Sequence, residues 1–191
     1  GQDSYKHLVC ADGHHLPYPD GSFASGISNS VLEHIPDLDP VIGEMARVLE
    51  PGALFIFCVP NHRFLDSLSI GSWLEKAGFS RLADKYRDFF NMISRHYHCD
   101  PHPVWEKRLN DHGFVIESWW DYFSPSALKV LEWGHYFGLP SWVCKILFGR
   151  WILIPGDWNL LFTDRLVRPH YEGDPRHPKG VYSFYKTRLA G

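Results

Sequence analysis

The sequence predicts an α/β domain built on a parallel sheet, and three observations predict it. A short apolar run, Leu8-Val9-Cys10-Ala11, stops at Asp12-Gly13, as a buried strand does on entering a loop. A helical pattern follows from Asp39 to Leu49. Then Ala53 to Val59 (ALFIFCV) is continuously apolar, the composition of a strand covered on both faces. With 191 residues there is room for one domain, or one domain with an insertion. An apolar fraction of 45% against 21% charged argues against disorder.

Each element has its own signals. His14 to Ser22 holds two prolines and an Asp-Gly pair, which makes it loop. Phe23 to Ser30 is a second strand, weakened by Gly26 and its serines. Asp39 is expected as the N-cap of the helix, with Pro40 at the first helical position. Val41, Ile42, Met45, Val48 and Leu49 share one helical face, and Pro51-Gly52 ends the helix. Pro60-Asn61 stops the apolar strand. Ser72 to Glu75 has the S-x-x-E form of a capping box, and Ser80 offers a second cap, so helices are expected near 73–77 and 81–93. Pro103 to His112 is helical, with Trp105 and Leu109 on one face and Gly113 as its stop. Phe114 to Trp119 is a strand. Ser124 to Phe137 and Ser141 to Phe148 are amphipathic helices. Arg168 to Lys179 has three prolines and reads as loop, and Val181 to Leu189 as a final strand.

Composition excludes several function classes. Lys plus Arg is 19 and Asp plus Glu is 22, a formal net charge of -3, so no basic excess exists for a nucleic acid. The four cysteines, at 10, 58, 99 and 144, form no C-x-x-C pair and no disulfide framework, which suits a reducing compartment. The start, Gly1 to Lys6, is polar and lacks the apolar core of a signal peptide. Trp142 to Pro155 is interrupted by Lys145 and Arg150 and is too short to span a bilayer. A cytoplasmic location is expected.

Residues 11–61 carry the function. A strand-end Asp12 is followed by Leu16-Pro17-Tyr18-Pro19-Asp20-Gly21-Ser22-Phe23 and then Val31-Leu32-Glu33-His34-Ile35-Pro36-Asp37. A helix ends in Arg47-Val48-Leu49-Glu50-Pro51-Gly52, and an apolar strand ends in Pro60-Asn61. This ordered set resembles the middle of a class I S-adenosylmethionine-dependent methyltransferase of the type 11 group. Pro103 to Phe114 and the last strand resemble that family's C-terminal half more weakly. The resemblance implies a partial Rossmann-like methyltransferase fold, strands 3–7 of a seven-stranded sheet ordered 3-2-1-4-5-7-6. An aromatic-rich helical insertion is added. Residues 1–120 would form the core without its first two strands, 121–180 the insertion, and 181–191 the final strand of the core.

The same resemblance implies S-adenosyl-L-methionine as cofactor and a small-molecule or lipid-linked methyl acceptor. Asp12, Gly13 and His14 fall where the family meets adenine. A carboxylate suits an exocyclic amino group because it only accepts hydrogen bonds. A loop Asp that merely solvates a strand end is the plainer reading of Asp12 alone, and the surrounding motif overrides it. Ser28, Asn29 and Ser30 fall beside the cofactor's methionine part; a polar turn with local capping is their plainer reading. His34 is the candidate base, since an imidazole titrates near neutrality, although Leu-Glu-His also packs the start of the helix. Some related O-methyltransferases bind a metal through E-x-x-E-H. Here the first Glu position is Ser30, and no metal is expected. His96, His98 and His102, near Cys99, do not have a zinc spacing. They are read as loop residues at a pocket mouth, with His96 and His98 touching the acceptor.

Two features set the chain apart from the family. The G-x-G-x-G loop and the ribose-binding acid are absent, since none of the 16 glycines stands in a G-x-G. About 60 residues, two strand–helix units of about 30, are therefore expected to be missing before Gly1, leaving one sheet edge open. Ala24 replaces the usual Asp after Ser-Phe, and Gly26 replaces a β-branched residue. An N-terminally truncated enzyme is the first reading, and a non-catalytic half-domain serving as a binding or scaffold partner is the alternative. Trp119, Trp120, Trp133, Trp142, Trp151 and Trp158 crowd the later part. They read either as cover for the sheet or as peripheral membrane contact through residues 126–155. Nothing in the sequence sets the oligomeric state.

Overall fold

The computed structural model describes residues 6–152, 156, 161–172 and 174–191. Trp158 and residues 153–155 of the expected membrane segment lie outside the described residues. The apolar run predicted as a buried strand becomes the longest strand, β2 (Leu49–Pro60). It lies inside a four-stranded sheet of order β1-β2-β4-β3. β1 (Phe23–Asn29) pairs with it in parallel through the helix α1 (Asp39–Val48), a strand–helix–strand crossover. β4 (Tyr182–Leu189) enters between β2 and β3 (Phe114–Tyr122) and runs antiparallel to both. The sheet is thus mixed rather than parallel throughout. Its order is the 4-5-7-6 end of the series the resemblance implies.

One expected strand does not form. Leu8 to Ala11 makes no ladder, and both Leu8 and Val9 are exposed. The reason is a missing neighbour: no strand among the described residues lies beside it to take up its backbone groups. The sheet accordingly has four strands, where five were expected. The free edge of β1 shows the same lack, with Ile27 78% exposed.

The helices follow β2 and β3. α2 (Ser69–Lys76) and α3 (Ser80–Ser94) come after β2, then α4 (His102–Asp111) leads into β3. α5 (Pro125–Phe137), α6 (Leu139–Phe148) and α7 (Leu161–Tyr171) stand between β3 and β4. One core joins Ile42 of α1, Phe55 and Phe57 of β2, Trp105 and Leu109 of α4, and Tyr185 of β4. A second holds Phe64, Leu68, Phe90, Leu128 and Val181. The predicted face of α1 faces the first core, and Gly113 closes α4 with φ +81°, as its position after the helix predicts.

Several helix starts are set by tertiary contacts instead of local caps. Asp39 is the first residue of α1, not its cap; Leu38 holds the cap position, and the Asp39 carboxylate accepts from Arg108 Nε of α4 at 2.9 Å. α2 starts at Ser69, ahead of the predicted capping box. Its free N–H groups at Ser69 and Ile70 donate to the Glu132 carboxylate of α5 at 2.6 and 3.1 Å. Ser72 instead donates to the Asp66 carbonyl, and Glu75 binds Arg87. Ser80 is the first residue of α3, with Phe79 at the cap position. Arg168 to Tyr171, predicted as loop, are the last turn of α7. An Asp164–Arg168 pair one turn apart supports that turn in spite of Pro169.

Candidate functional site

The carboxyl ends of β1 and β2 open on the same side of the sheet, because the two strands are parallel. β4 runs the other way, so its first residue, Tyr182, pairs with Pro60 at that end and with Tyr122, the last residue of β3. A cavity of about 710 Å³ lies there. Asn29, Ser30, Tyr122 and Tyr182 form its sheet side, and side chains of α5 and α7, including Leu131 and His170, line much of the rest, with Phe123, Asp174 and Pro175. The size suits a small-molecule site, and so does the place, beyond the carboxyl ends of parallel strands. Asn29 accepts a hydrogen bond from the Cys58 thiol. Ser30 takes a left-handed backbone, φ +50°, where the chain leaves β1. Ser28 Oγ is buried without a partner among the described residues. Burial raises the pKa of both cavity tyrosines, so each hydroxyl keeps its proton.

Beside this cavity the chain turns through a short 3-10 segment, Leu32–His34. Glu33 is fully buried there, and among the described residues no group comes within hydrogen-bonding geometry of either carboxylate oxygen, the Ser30 hydroxyl lying near but outside it. Burial raises its pKa, partly offset by its own backbone, His34 and the Ser30 hydroxyl. His34 is exposed. Its Nδ1 lies 3.0 Å from the Arg95 carbonyl, and its Nε2 lies 3.8 Å from Glu33 Oε1. His96 approaches from the loop after α3, its ring centre 5.1 Å from that of His34. Burial, with the charge of His34 second, pushes His96 down to about 4, so it is neutral at pH 7. Cys99, 3.9 Å from His96 Nδ1, is pushed up to about 12 by burial and stays a thiol. The ligand atoms of Glu33, His34 and His96 lie within 4.8 Å of one another.

His98 and His102 do not join this group. His98 Nε2 lies 3.0 Å from the Ile35 carbonyl and its Nδ1 3.4 Å from Asp100. His102 stacks on Trp119 with its ring centre 4.0 Å away. The fold brings His96 to His34, from a distant part of the chain, and not to His98 and His102.

The Asp12 turn forms a third part. Asp12 does not end a strand, as expected, but closes a tight turn in which its Oδ1 accepts from the His14 backbone N–H at 3.0 Å and lies 2.9 Å from His14 Nδ1. Those hydrogen bonds hold the Asp12 carboxyl below its usual range and raise His14 above its own. Asp12 Oδ2 accepts no hydrogen bond among the described residues and faces solvent. His14 Nε2 reaches the Asp37 carbonyl at 3.1 Å, which ties this turn to the loop that leaves β1. A Cβ on Gly13 would touch Val41 of α1 at 3.5 Å, so the turn lies against that helix.

Arg47 explains why the two longest sequence motifs occur together. Its guanidinium donates to the Leu16 and Tyr18 carbonyls, to Asp20, and to both oxygens of Glu44, while Glu44 accepts from the Leu16 N–H. The arginine of the helix end thus clamps the Leu16–Asp20 loop by a planar fork that lysine could not reproduce. The Arg47 and Leu16 hydrogen bonds hold Glu44 down to about 2. Sequence reading quoted these residues but missed their contact. It also missed Tyr122, Tyr182 and the burial of Glu33, for which the only signal was the place of the two tyrosines at strand ends.

Residues 1–57 fit the family model described as a methyltransferase domain. Over 81 residues the chain is 40% identical to a malonyl-(acyl-carrier protein) O-methyltransferase of Halorhodospira halophila (strain DSM 244 / SL1), covering 41% of this chain and 27% of that protein. Over 136 residues it is 30% identical to an uncharacterized methyltransferase of Mycobacterium sp. (strain JLS), covering 65% of this chain and 42% of that one. Among solved structures, the (4+2)-cyclase SpnF superposes with a TM-score of 0.53 at 15% identity, covering 95% of this chain and 55% of that one. A geranyl diphosphate C-methyltransferase of Streptomyces coelicolor A3(2) superposes with a TM-score of 0.50 at 13% identity, covering 96% of this chain and 52% of that one. Both structural likenesses are of fold. The chain spans less than half the length of these curated relatives.

Proposed function

We propose that this chain, whose residues 1–57 match a methyltransferase-domain model, is part of a class I S-adenosylmethionine-dependent methyltransferase and supplies the acceptor side and one flank of its cofactor site. The observation that carries the reading is the cavity at the carboxyl ends of β1 and β2, bordered by the Asn29–Ser30 stretch of the matched motif. S-adenosyl-L-methionine would supply the electrophilic methyl group. The residues present suit part of that cofactor. Asp12 offers an acceptor-only oxygen, Oδ2, without a partner, and Ser28 a buried hydroxyl without one. Gly13 and His14 would flank the adenine, and Asn29 and Ser30 the methionine end. His34, exposed beside the cavity, would accept the proton that the acceptor loses. His96 would border the acceptor, and His98 would hold the loop that carries it. The acceptor itself would be a small or lipid-linked molecule, since the wall from α5 and α7 is mostly apolar.

The G-x-G-x-G loop and the ribose-binding acid would come from residues encoded before Gly1. Titration with S-adenosylhomocysteine tests this. The product translated from any in-frame upstream sequence is expected to bind it, and Asp12→Ala to weaken that binding about tenfold or more. No binding by the longer product would sink the enzyme reading and favour the scaffold alternative.

The aromatic helices favour contact with a membrane surface. Phe137, Trp142, Ile146, Leu147, Phe148 and Trp151 are all exposed, with Lys145 and Arg150 among them. No helix among the described residues is long and apolar enough to cross a membrane. The chain is therefore expected to float with anionic vesicles, and a Trp142→Ser, Leu147→Ser double variant to stay behind. Equal recovery of the two in the vesicle fraction would remove this contact.

A further inference from the structure

We propose that Glu33, His34 and His96 form a binding site for one divalent first-row metal ion, with zinc as its best probe. Two imidazoles and one carboxylate are a donor set for such ions, and less so for magnesium or calcium, which prefer oxygen.

Four observations support the assignment. The three ligand atoms converge within 4.8 Å. The 3.8 Å between Glu33 Oε1 and His34 Nε2 suits two ligands each about 2.0–2.2 Å from a common ion. The Glu33 carboxylate is buried with both oxygens unpartnered among the described residues, and a cation between the three side chains would complete it. The supporting hydrogen bonds are already in place. His34 Nδ1–H donates to the Arg95 carbonyl, which leaves the Nε2 lone pair facing Glu33, the tautomer a metal ligand needs.

The backbone holds the two halves of the site together. The N–H groups of Tyr97 and His98 both donate to the Glu33 carbonyl, at 2.7 and 3.4 Å. The loop that carries His96 is thereby docked on the turn that carries Glu33 and His34. Phe64 packs edge-on against His96, its ring centre 5.0 Å away, and also against Tyr182 of the cavity. Three protein ligands leave a coordination position open, as in sites where an ion binds a further oxygen. The inference does not depend on methyl transfer, because all three ligands lie in this chain; an ion on His34 Nε2 would take the place of the proton that nitrogen could otherwise accept.

The test is zinc titration of the chelator-stripped protein against a chromophoric competitor, with cobalt absorption as a second readout of the ligand set. One equivalent per chain is expected. Glu33→Gln, His34→Ala and His96→Ala should each weaken binding about tenfold or more, and change the cobalt spectrum. His62→Ala, an exposed histidine elsewhere, should do neither. His34 is exposed, so its removal reads the site even where the buried Glu33→Gln impairs folding. Less than stoichiometric zinc in the parent chain overturns the proposal, and so does parental affinity in His34→Ala.

Discussion

Replacing Glu132 by alanine is expected to lower the unfolding free energy by about 3–5 kcal/mol, because it strands several buried donors at about 1–3 kcal/mol each. Glu132 is fully buried in α5. It accepts from the Ser69 and Ile70 N–H groups, from Ser69 Oγ and from the Tyr86 hydroxyl. Alanine would leave the start of α2 and the Tyr86 hydroxyl without partners, each at about 1–3 kcal/mol. It would also loosen α5 from α2 and α3, since Trp133 Nε1 and Tyr136 reach the same group through Ser69 and Tyr86. Glutamine should lose less. Its amide can donate to Tyr86 but cannot accept from Ile70 at the same place. Urea unfolding of the two variants checks this; equal midpoints for Ala, Gln and the parent would show that the cap contributes nothing.

Gly180→Ala should lose about 1–3 kcal/mol or more by overpacking, and should disturb the cavity as well. A Cβ at Gly180 would lie 2.5 Å from both the nitrogen and the oxygen of Tyr122, and 2.8 Å from the Asp121 carbonyl carbon. These are backbone atoms of β3, so no rotamer change relieves the clash. Relief would have to come from moving the turn away from β3. That would pull on two hydrogen bonds: Val181 N–H to the Phe123 carbonyl, and Asn61 Nδ2 to the Gly180 carbonyl. Tyr122 and Tyr182, on either side of the displaced turn, line the cavity. Gly134 is the control. A Cβ there meets nothing within 4 Å, and alanine inside α5 should stabilise by about 0.5–1 kcal/mol. Chemical denaturation of the pair should therefore shift the midpoint in opposite directions.

Local physics accounts for what the sequence made legible. The β1–α1–β2 unit was readable because hydrophobic period and punctuation agree there, from the apolar face of α1 to the unbroken run of β2. Leu8 to Ala11 has an equally apolar composition, yet a strand also needs a neighbour, and composition does not report one. The capping box at Ser72 and the cap at Ser80 failed for a related reason. Ser72 and Ser80 had the right residue type, but the start of α2 was taken by Glu132, a residue of another helix. No local pattern marks a glutamate as a remote cap. The candidate site shows the same division. Asn29 and Ser30, singled out with the motif, do border the cavity, and the Arg47 segment was legible as part of it. What Arg47 grips, and that His96 comes to His34 and not to His98 and His102, follows only from the fold.

The position of β4 sets a timing constraint on assembly. β3 has no other partner in the sheet, and β4 is made after every other strand and helix described. During synthesis β1, α1 and β2 can associate early, but β3 must wait, unpaired, until β4 leaves the ribosome. The Thr187 hydroxyl then reaches back to the Phe55 carbonyl across a separation of 132 residues. Closing so long a loop comes before any pairing gain, which slows folding and lengthens the time that β2 presents an open apolar edge. Nascent chains stalled before Tyr182 should thus be the species that chaperones hold longest.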